Sequence, residues 1–211
     1  MEVQPRILRK SLLAGAQEAE GVAVVIDVFR AFTSAALMVH LGAQNLVLLA
    51  EPEDVLRLKA ERGYLAVGEV AGRKVAGFDL GNSPSEILAA GRKFFAGHSV
   101  AQRTSAGVTG AVAAVHHADN VILGSFVTGA ASVRYIRSLS PPAQTISLVA
   151  MGCAGEEITP EDEACADYLE HLLAGRRYDH LSALQRIVQH RSTQKFLQGD
   201  QPHYPREDPI Y

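Results

Sequence analysis

Residues 21–30 constrain the fold of this chain more than any other segment. They contain an unbroken apolar run, Val22 to Ile26, which leads directly into Asp27. A short, continuous run rich in Val and Ile is typical of a strand that is buried on both faces. Arg30 follows three positions after Asp27. A carboxylate and a guanidinium therefore stand where a buried strand ends and a helix begins, and buried charges need a partner or a ligand.

Two interpretations of this strand end are open. Asp27 can cap the following helix and pair with Arg30, which is a structural arrangement only. Alternatively, both residues belong to a functional site, because ligands of open parallel sheets bind outside the carboxyl ends of the strands. The local sequence favours neither interpretation.

Strand-like and helix-like patterns alternate along almost the whole chain. Strands are predicted at residues 3–8, 22–28, 45–49, 64–67, 99–102, 120–123 and 145–150. Helices are predicted at residues 32–41, 52–61, 109–117, 128–139, 160–174 and 181–197, with another that begins at Ser83. This alternation predicts a three-layer α/β/α fold with a parallel-rich sheet and helices on both faces. We expect a single domain over residues 1–211, with an irregular tail at 198–211.

Composition excludes several functional classes. The 211 residues carry a net charge of −3, few aromatic residues and no Trp, which argues against a basic field and a base-stacking platform for nucleic acid. No apolar run approaches the ~20 residues that span a membrane. The N-terminus lacks the apolar core of a signal peptide. We predict a cytoplasmic protein with no nucleic-acid or membrane partner.

Polar side chains recur where the predicted strands end. They are Asp27, Arg30, Glu69, Thr104, Ser105, Ser125 and Cys153, and the loop after Glu69 adds Asp79, Asn82 and Ser83. Most have a plain alternative as a surface charge, a turn or a helix cap. Together, carboxylates, hydroxyls, loop amides and arginines describe a site for a hard cation beside a site for an anion. Oxygen ligands favour Mg²⁺, and metal-assisted chemistry on a phosphate ester uses both sites.

Several short motifs occur in an order that resembles the 2-phosphosulfolactate phosphatase family. They are the segments 27–31 (DVFRA), 68–69 (GE), 77–84 (GFDLGNSP), 124–126 (GSF), 153–155 (CAG) and 161–162 (ED), and GFDLGNSP is the most specific. The similarity covers roughly residues 24–173. It implies a Mg²⁺-dependent phosphatase that acts on a small acidic phosphoester.

The resemblance, together with the strand-end pattern, assigns roles to individual residues. Asp27, Arg30 and Glu69 are the expected catalytic residues, and Asp27, Glu69, Asp79 and Asp162 the expected Mg²⁺ ligands. The expected substrate-binding residues are Asn82, Ser83, Arg103, Thr104, Ser105, Gly107 and Ser125. A homodimer is left open.

Two segments depart from the family pattern. Residues 104–108 read TSAGV where the family often reads TTNGT, so Ala106 and Val108 lack polar groups. A frequent family Asn after the GSF motif is here Thr128 or Gly129. Two alternatives to the family's named activity therefore remain: a non-catalytic protein that binds a phosphorylated metabolite, or a phosphatase for another phosphorylated hydroxy acid.

Overall fold

The computed structural model describes residues 4–199 and 201–210. Its strands are β1 (Arg6–Ser11), β2 (Val22–Ile26), β3 (Asn45–Leu48), β4 (Leu65–Val70), β5 (Arg73–Lys74), β6 (Ser99–Arg103), β7 (Asn120–Gly124) and β8 (Thr145–Ala150). Its α-helices are α1 (Leu12–Gln17), α2 (Ala31–His40), α3 (Pro52–Arg62), α4 (Pro84–Phe95), α5 (Gly107–Ala114), α6 (Gly129–Ser138), α7 (Pro160–Leu173), α8 (His180–Gln189) and α9 (Arg191–Leu197). Short 3₁₀ turns cover Phe126–Thr128 and Asp208–Ile210.

The described strands form two four-stranded sheets, with the orders β1-β8-β2-β7 and β3-β6-β4-β5. All neighbouring strands are parallel except β4 and β5, which form a short antiparallel pair. The predicted α/β/α class is confirmed. The strands that the sequence suggested for one sheet are divided between two.

Strand β2 is buried along its whole length, as its continuous apolar run predicts. Ala23 and Val25 pack into a cluster with residues of α1, α2 and α5. Val24 and Ile26 project into a second cluster with residues of α6 and α7. Because helices cover both faces of β2, no position in this strand is left for a polar side chain.

In the second sheet, β6 lies between β3 and β4. Val100 packs with Met38 of α2 and Phe95 of α4 on one face. Ala101 packs with Val55 of α3 on the other face. The ends of β6 and β4 are thereby fixed next to each other.

Several elements differ from the predicted ones. Strand β4 continues to Val70, so Glu69 lies inside the strand rather than after it. The single helix predicted at 181–197 is broken at His190, whose extended backbone ends α8 and whose imidazole accepts the Ser192 amide to cap α9. Helix α1 was not predicted. The predicted strand at 3–8 begins outside the described residues, and β1 starts at Arg6.

The C-terminal segment, defined here as residues 201–210, was predicted to be irregular and contains only one 3₁₀ turn. The ring of its Tyr204 lies 5.1 Å from the ring of Phe196 in α9. Asp208 is buried. This segment is therefore packed onto the body of the fold. Among the described residues, no helix has the length and apolar character needed to cross a membrane.

Candidate active site

A cavity of about 280 Å³ opens where β2, β4, β6 and β8 end. Six of the polar side chains that the sequence places at strand ends or in the loop after Glu69 line it: Asp27, Arg30, Glu69, Asn82, Ser105 and Cys153. Ala106, one of the departures from the family pattern, also faces this cavity. We call it the active-site cavity.

Asp27 is held rigidly at the end of β2. Its Oδ1 accepts the Ala31 amide at 3.0 Å, at the start of α2, and its Oδ2 accepts the Gly107 amide at 2.8 Å. A Cβ at residue 107 would lie 2.7 Å from Asp27 Oδ2, so only glycine permits this approach. Burial raises the pKa of Asp27 to about 6, and the charges of Glu69 and Glu161 act in the same direction against the two amide hydrogen bonds.

Glu69 is fixed by the loop that follows β6. Its Oε1 accepts the Ser105 amide at 2.6 Å, and its Oε2 accepts the Ser105 hydroxyl at 3.1 Å. The Gly72 amide also donates to Oε2. Glu69 thus has a fixed carboxylate that faces the cavity.

The acidic pair at the start of α7 is divided between two environments. Glu161 lines the active-site cavity and accepts the Ser192 hydroxyl on Oε2 at 2.8 Å. Asp162 points away, because its oxygens accept the amides of Val28 and Gly152 at 2.8 and 2.7 Å. Burial, with the charges of Asp27 and Glu161, raises the pKa of Asp162 well above its usual value.

Arg30 lies at the boundary of two cavities. It lines the active-site cavity and also a neighbouring one of about 410 Å³, which Asn82 and Ser83 share. Its Nη1 donates to Oδ2 of Asp208 and to the His203 carbonyl, both at 2.9 Å. Arg30 therefore pairs with Asp208, and not with Asp27 as one of the two open interpretations of this strand end had it.

Several predicted site residues do not line the active-site cavity. Asp79 pairs with Lys59 at 2.5 Å and accepts the Ala66 amide, and it does not line the cavity that Asp27 and Glu69 share. Arg103 donates to the carbonyls of Ala50 and Glu69 and supports the loops instead of facing the cavity.

Most of the other predicted substrate-binding residues form hydrogen bonds within the fold. Thr104 Oγ1 accepts the Val108 amide at 3.0 Å, at the start of α5. The Gly107 amide donates to Asp27. Ser125, predicted to bind substrate, is fully buried and caps the turn that contains Thr128, away from the cavity. Ser83 caps α4 and lines only the neighbouring cavity.

The structure adds cavity residues that the sequence analysis did not select. They are Thr159, Glu161, Ser192, Lys195 and Tyr204. Three of them come from α9 and the C-terminal segment, which no motif distinguishes. Glu161 stood next to the selected Asp162, and only the rotation of α7 decides which of the two faces inward. Thr159 Oγ1 is buried and has no hydrogen-bond partner among the described residues.

The residues that line the cavity supply the oxygen donors that Mg²⁺ prefers. Within residues 4–199 and 201–210, no three Asp, Glu, His or Cys side chains are close enough to form a complete metal cage. Asp27, Glu69 and Glu161 nevertheless share one cavity. This arrangement fits Mg²⁺, which usually keeps several waters and takes only one or two protein carboxylates.

The model of one protein family matches residues 8–202, and that family is described as 2-phosphosulpholactate phosphatase. Its match covers the elements from β1 to α9. An α/β/α fold with carboxylates and an arginine in one cavity at the strand ends agrees with a family of this class. The chain belongs to the 2-phosphosulfolactate phosphatase family.

Curated relatives agree with this assignment. A probable 2-phosphosulfolactate phosphatase of Bacillus subtilis is 30% identical over 190 residues, which cover 89% of this chain and 80% of that protein. A protein of the same name from Thermus thermophilus is 40% identical over 136 residues, 64% of this chain and 54% of its own length. Another from Deinococcus radiodurans is 34% identical over 154 residues, which cover 72% of this chain and 62% of that protein.

Proposed function

We propose that this protein hydrolyses a small acidic phosphomonoester with the help of Mg²⁺, and that phosphosulfolactate is the first substrate to test. The observation that carries the proposal is the arrangement of Asp27, Glu69 and Glu161 with Arg30 around one cavity. The family match supports the class of reaction.

The charges that line the cavity support a requirement for a divalent cation. Three carboxylates stand against two cationic side chains, Arg30 and Lys195. A phosphomonoester brings further negative charge, so its binding would be opposed by the carboxylates. Mg²⁺ held by Asp27 and Glu69, with waters as its other ligands, would neutralise part of this excess and polarise the phosphoryl oxygens.

Arg30 is the proposed phosphate-binding residue. Its Nη1 is used by Asp208 and His203, whereas Nε and Nη2 have no hydrogen-bond partner among the described residues. A guanidinium edge offers two parallel donors to a phosphate and stabilises the charge that develops during transfer. Asn82 and the Ser105 hydroxyl line the same cavity and supply neutral polar groups.

Glu161 is the proposed base. Its Oε2 is occupied by Ser192, and Oε1 has no hydrogen-bond partner among the described residues. In the proposed step, a water oxygen forms a bond to phosphorus and a water proton passes to Oε1 of Glu161. The bond between phosphorus and the ester oxygen breaks, and that oxygen leaves with its electron pair and takes up a proton from solvent water to form the alcohol, while Glu161 returns its proton to solvent.

Lys195 is the proposed partner of a second acidic group on the substrate. It lines the active-site cavity but forms no ion pair among the described residues. Its Nζ lies 4.6 Å from the centre of the Tyr204 ring. Ala106 offers no polar group there, so a cationic side chain is the available means of recognising a carboxylate or a sulfonate.

The decisive experiment is a turnover assay over a panel of phosphoesters that includes phosphosulfolactate, phosphoglycolate and phospholactate. We expect release of inorganic phosphate from an acidic phosphoester in Mg²⁺, and none in excess chelator. Preference for phosphoglycolate or phospholactate would favour a phosphatase of another hydroxy acid. Tight binding of a phosphorylated acid without any turnover would favour the non-catalytic binding protein.

A further inference from the structure

The C-terminal segment contributes a buried carboxylate to the environment of Arg30. Oδ2 of Asp208 lies 2.9 Å from Nη1 of Arg30. The side chain of Asp208 is 0% exposed and that of Arg30 is 6% exposed. Because both charged groups are buried, neither can replace its partner with water, and the ion pair therefore holds the two side chains in a fixed orientation.

Asp208 does not depend on Arg30 for its own position. Its Oδ1 accepts the hydroxyls of Ser83 and Ser85 at 2.7 and 2.6 Å, and the Ser85 amide at 3.1 Å. These donors belong to the cap and first turn of α4. The carboxylate is therefore anchored to a helix on one side and presents its second oxygen to Arg30 on the other.

Two aromatic rings restrict the guanidinium further. Its central carbon lies 5.4 Å from the centre of the Phe196 ring and 5.2 Å from that of Tyr204. Both distances are within the range of a cation–π contact. The rings limit the movement of Arg30 out of its position, while Asp208 limits its rotation.

The position of Arg30 is not the one that local electrostatics alone would select. Asp27, Glu69 and Glu161 line the same cavity, and any of these carboxylates would attract the guanidinium. A guanidinium paired with one of them would no longer be free to bind an anion. Arg30 instead pairs with Asp208 through Nη1, and its Nε and Nη2 have no hydrogen-bond partners among the described residues.

We propose that Asp208 is the positioning residue of Arg30: it fixes the guanidinium so that its free edge meets the phosphate of the substrate. This rests on the proposed function, in which Arg30 binds phosphate. The part of this chain that the family model matches ends at residue 202, so Asp208 lies beyond it. A residue outside the family match thus completes the anion site.

The test is the affinity of the full chain for inorganic phosphate in Mg²⁺, measured by calorimetry. Asp208→Asn keeps the size of the side chain but removes its charge. We expect it to weaken phosphate binding about tenfold, the scale of one charge-assisted hydrogen bond. The matched control is Glu207→Gln, which removes the same charge from the exposed neighbouring residue. It should bind phosphate like the wild type.

A double variant separates positioning from a general structural effect. In an Arg30→Lys background, Asp208→Asn should change phosphate affinity less than about twofold, because the residue through which it acts is already altered. An equal loss in both backgrounds, or unchanged or tighter binding in Asp208→Asn alone, would overturn the proposal. Tighter binding would instead identify Asp208 as a competitor of the anion.

Two further measurements keep the test decisive. If Asp208→Asn does not fold, Ser85→Ala removes one anchor of the carboxylate and should weaken phosphate binding by about threefold; unchanged affinity would again overturn the proposal. Turnover of the phosphoester panel is measured separately. Loss of phosphate affinity in Asp208→Asn with no wild-type turnover would uphold the positioning role and reject the phosphatase.

Discussion

Nη1 of Arg30 and Oδ2 of Asp208 lie 2.9 Å apart, although 178 positions separate the two residues in the sequence. This ion pair uses Nη1 of the guanidinium for a contact within the fold, and it leaves Nε and Nη2 available to a ligand in the active-site cavity. A lysine offers a single ammonium group and cannot serve both sides at once. We therefore expect a lysine at residue 30 to lose one of these two sets of contacts.

Arg30→Lys should lower kcat/KM for the best phosphoester by about tenfold or more, the scale of one lost charge-assisted contact. Steady-state kinetics at saturating Mg²⁺ measures this. Arg6→Lys is a suitable control, since Arg6 forms an exposed ion pair with Glu20 far from the cavity. A well-folded Arg30→Lys variant with wild-type kcat/KM would contradict the role of Arg30.

We expect Mg²⁺ affinity to depend on the carboxylates that line the cavity and not on Asp79, which was predicted as a ligand but does not line it. We expect Glu69→Gln to raise the Mg²⁺ concentration for half-maximal activity about tenfold or more, because a ligand charge is lost. Asp79→Asn should leave that concentration within about twofold, since the Asp79 carboxylate is paired with Lys59. Activity titrations after chelation compare the two. Equal effects would mean that both residues act on the metal.

The raised pKa of Asp27 predicts how stability depends on pH in the absence of metal. Between the ordinary value of 3.8 and the folded value of about 6, the folded state holds a proton that the unfolded state releases. The free energy of unfolding should therefore fall as pH rises through this window, by ~3 kcal/mol in total from this residue. Above about pH 7 its contribution should level off.

Urea unfolding in chelator between pH 4.5 and 7.5 measures this decline. Mg²⁺ should reduce it, because a bound cation favours the ionised carboxylate. The Asp27→Asn variant has no charge to bury and should show a smaller decline. Asp162, whose pKa is also raised by burial, acts in the same direction and accounts for a remaining part. An identical decline in Asp27→Asn would contradict the assignment.

The two departures within residues 104–108 should have different effects, because Ala106 precedes α5 and Val108 lies in its first turn. Ala106 faces the active-site cavity, whereas Val108 is 0% exposed. Ala106→Asn should change the ratio of kcat/KM values for phosphosulfolactate and phosphoglycolate, because it adds a polar group at the cavity wall. Val108→Thr should leave this ratio unchanged and lower stability by about 1–2 kcal/mol, because it buries a hydroxyl. Identical ratios in wild type and Ala106→Asn would make that departure neutral.

Lys195 should distinguish substrates by their second acidic group. Lys195→Met keeps much of the length of the side chain but removes its charge. We expect kcat/KM for phosphosulfolactate to fall about tenfold, while that for phenyl phosphate, which has no second acid, changes less than about twofold. An equal loss for both substrates would show that Lys195 acts on the phosphate or on the fold.

The sequence predicted the fold class because its signals are local and repeated. Alternation of strand and helix patterns requires no knowledge of distant contacts, and the double burial of β2 could be read from residues 22–26 alone. The division into two sheets depends on which strands pair, and each strand has several possible neighbours. The break between α8 and α9 depends on His190, whose side chain acts as a cap only once Ser192 has turned back towards it.

The site was predictable to the extent that it follows the ends of strands. Asp27, Arg30, Glu69, Asn82 and Ser105 face the cavity, as strand-end placement suggested. Asp79 does not line the cavity, and its ion pair with Lys59 from α3 is one that no local sequence pattern indicates. The wall formed by α9 and the C-terminal segment was missed because its residues are set by packing on the finished fold.

The pairing of Arg30, near the start of the sequence, with Asp208, near its end, also has a consequence for biosynthesis. During translation, Arg30 emerges from the ribosome well before Asp208 is added, so the nascent chain carries its guanidinium without the carboxylate that restrains it. Until then, the acidic residues of the cavity are its nearest opposite charges. A ribosome that stalls or a protease that cuts before residue 208 therefore leaves a product whose sheets can be intact but whose anion site is unassembled. The site around Arg30 therefore acquires its restraining carboxylate only after residue 208 has been added.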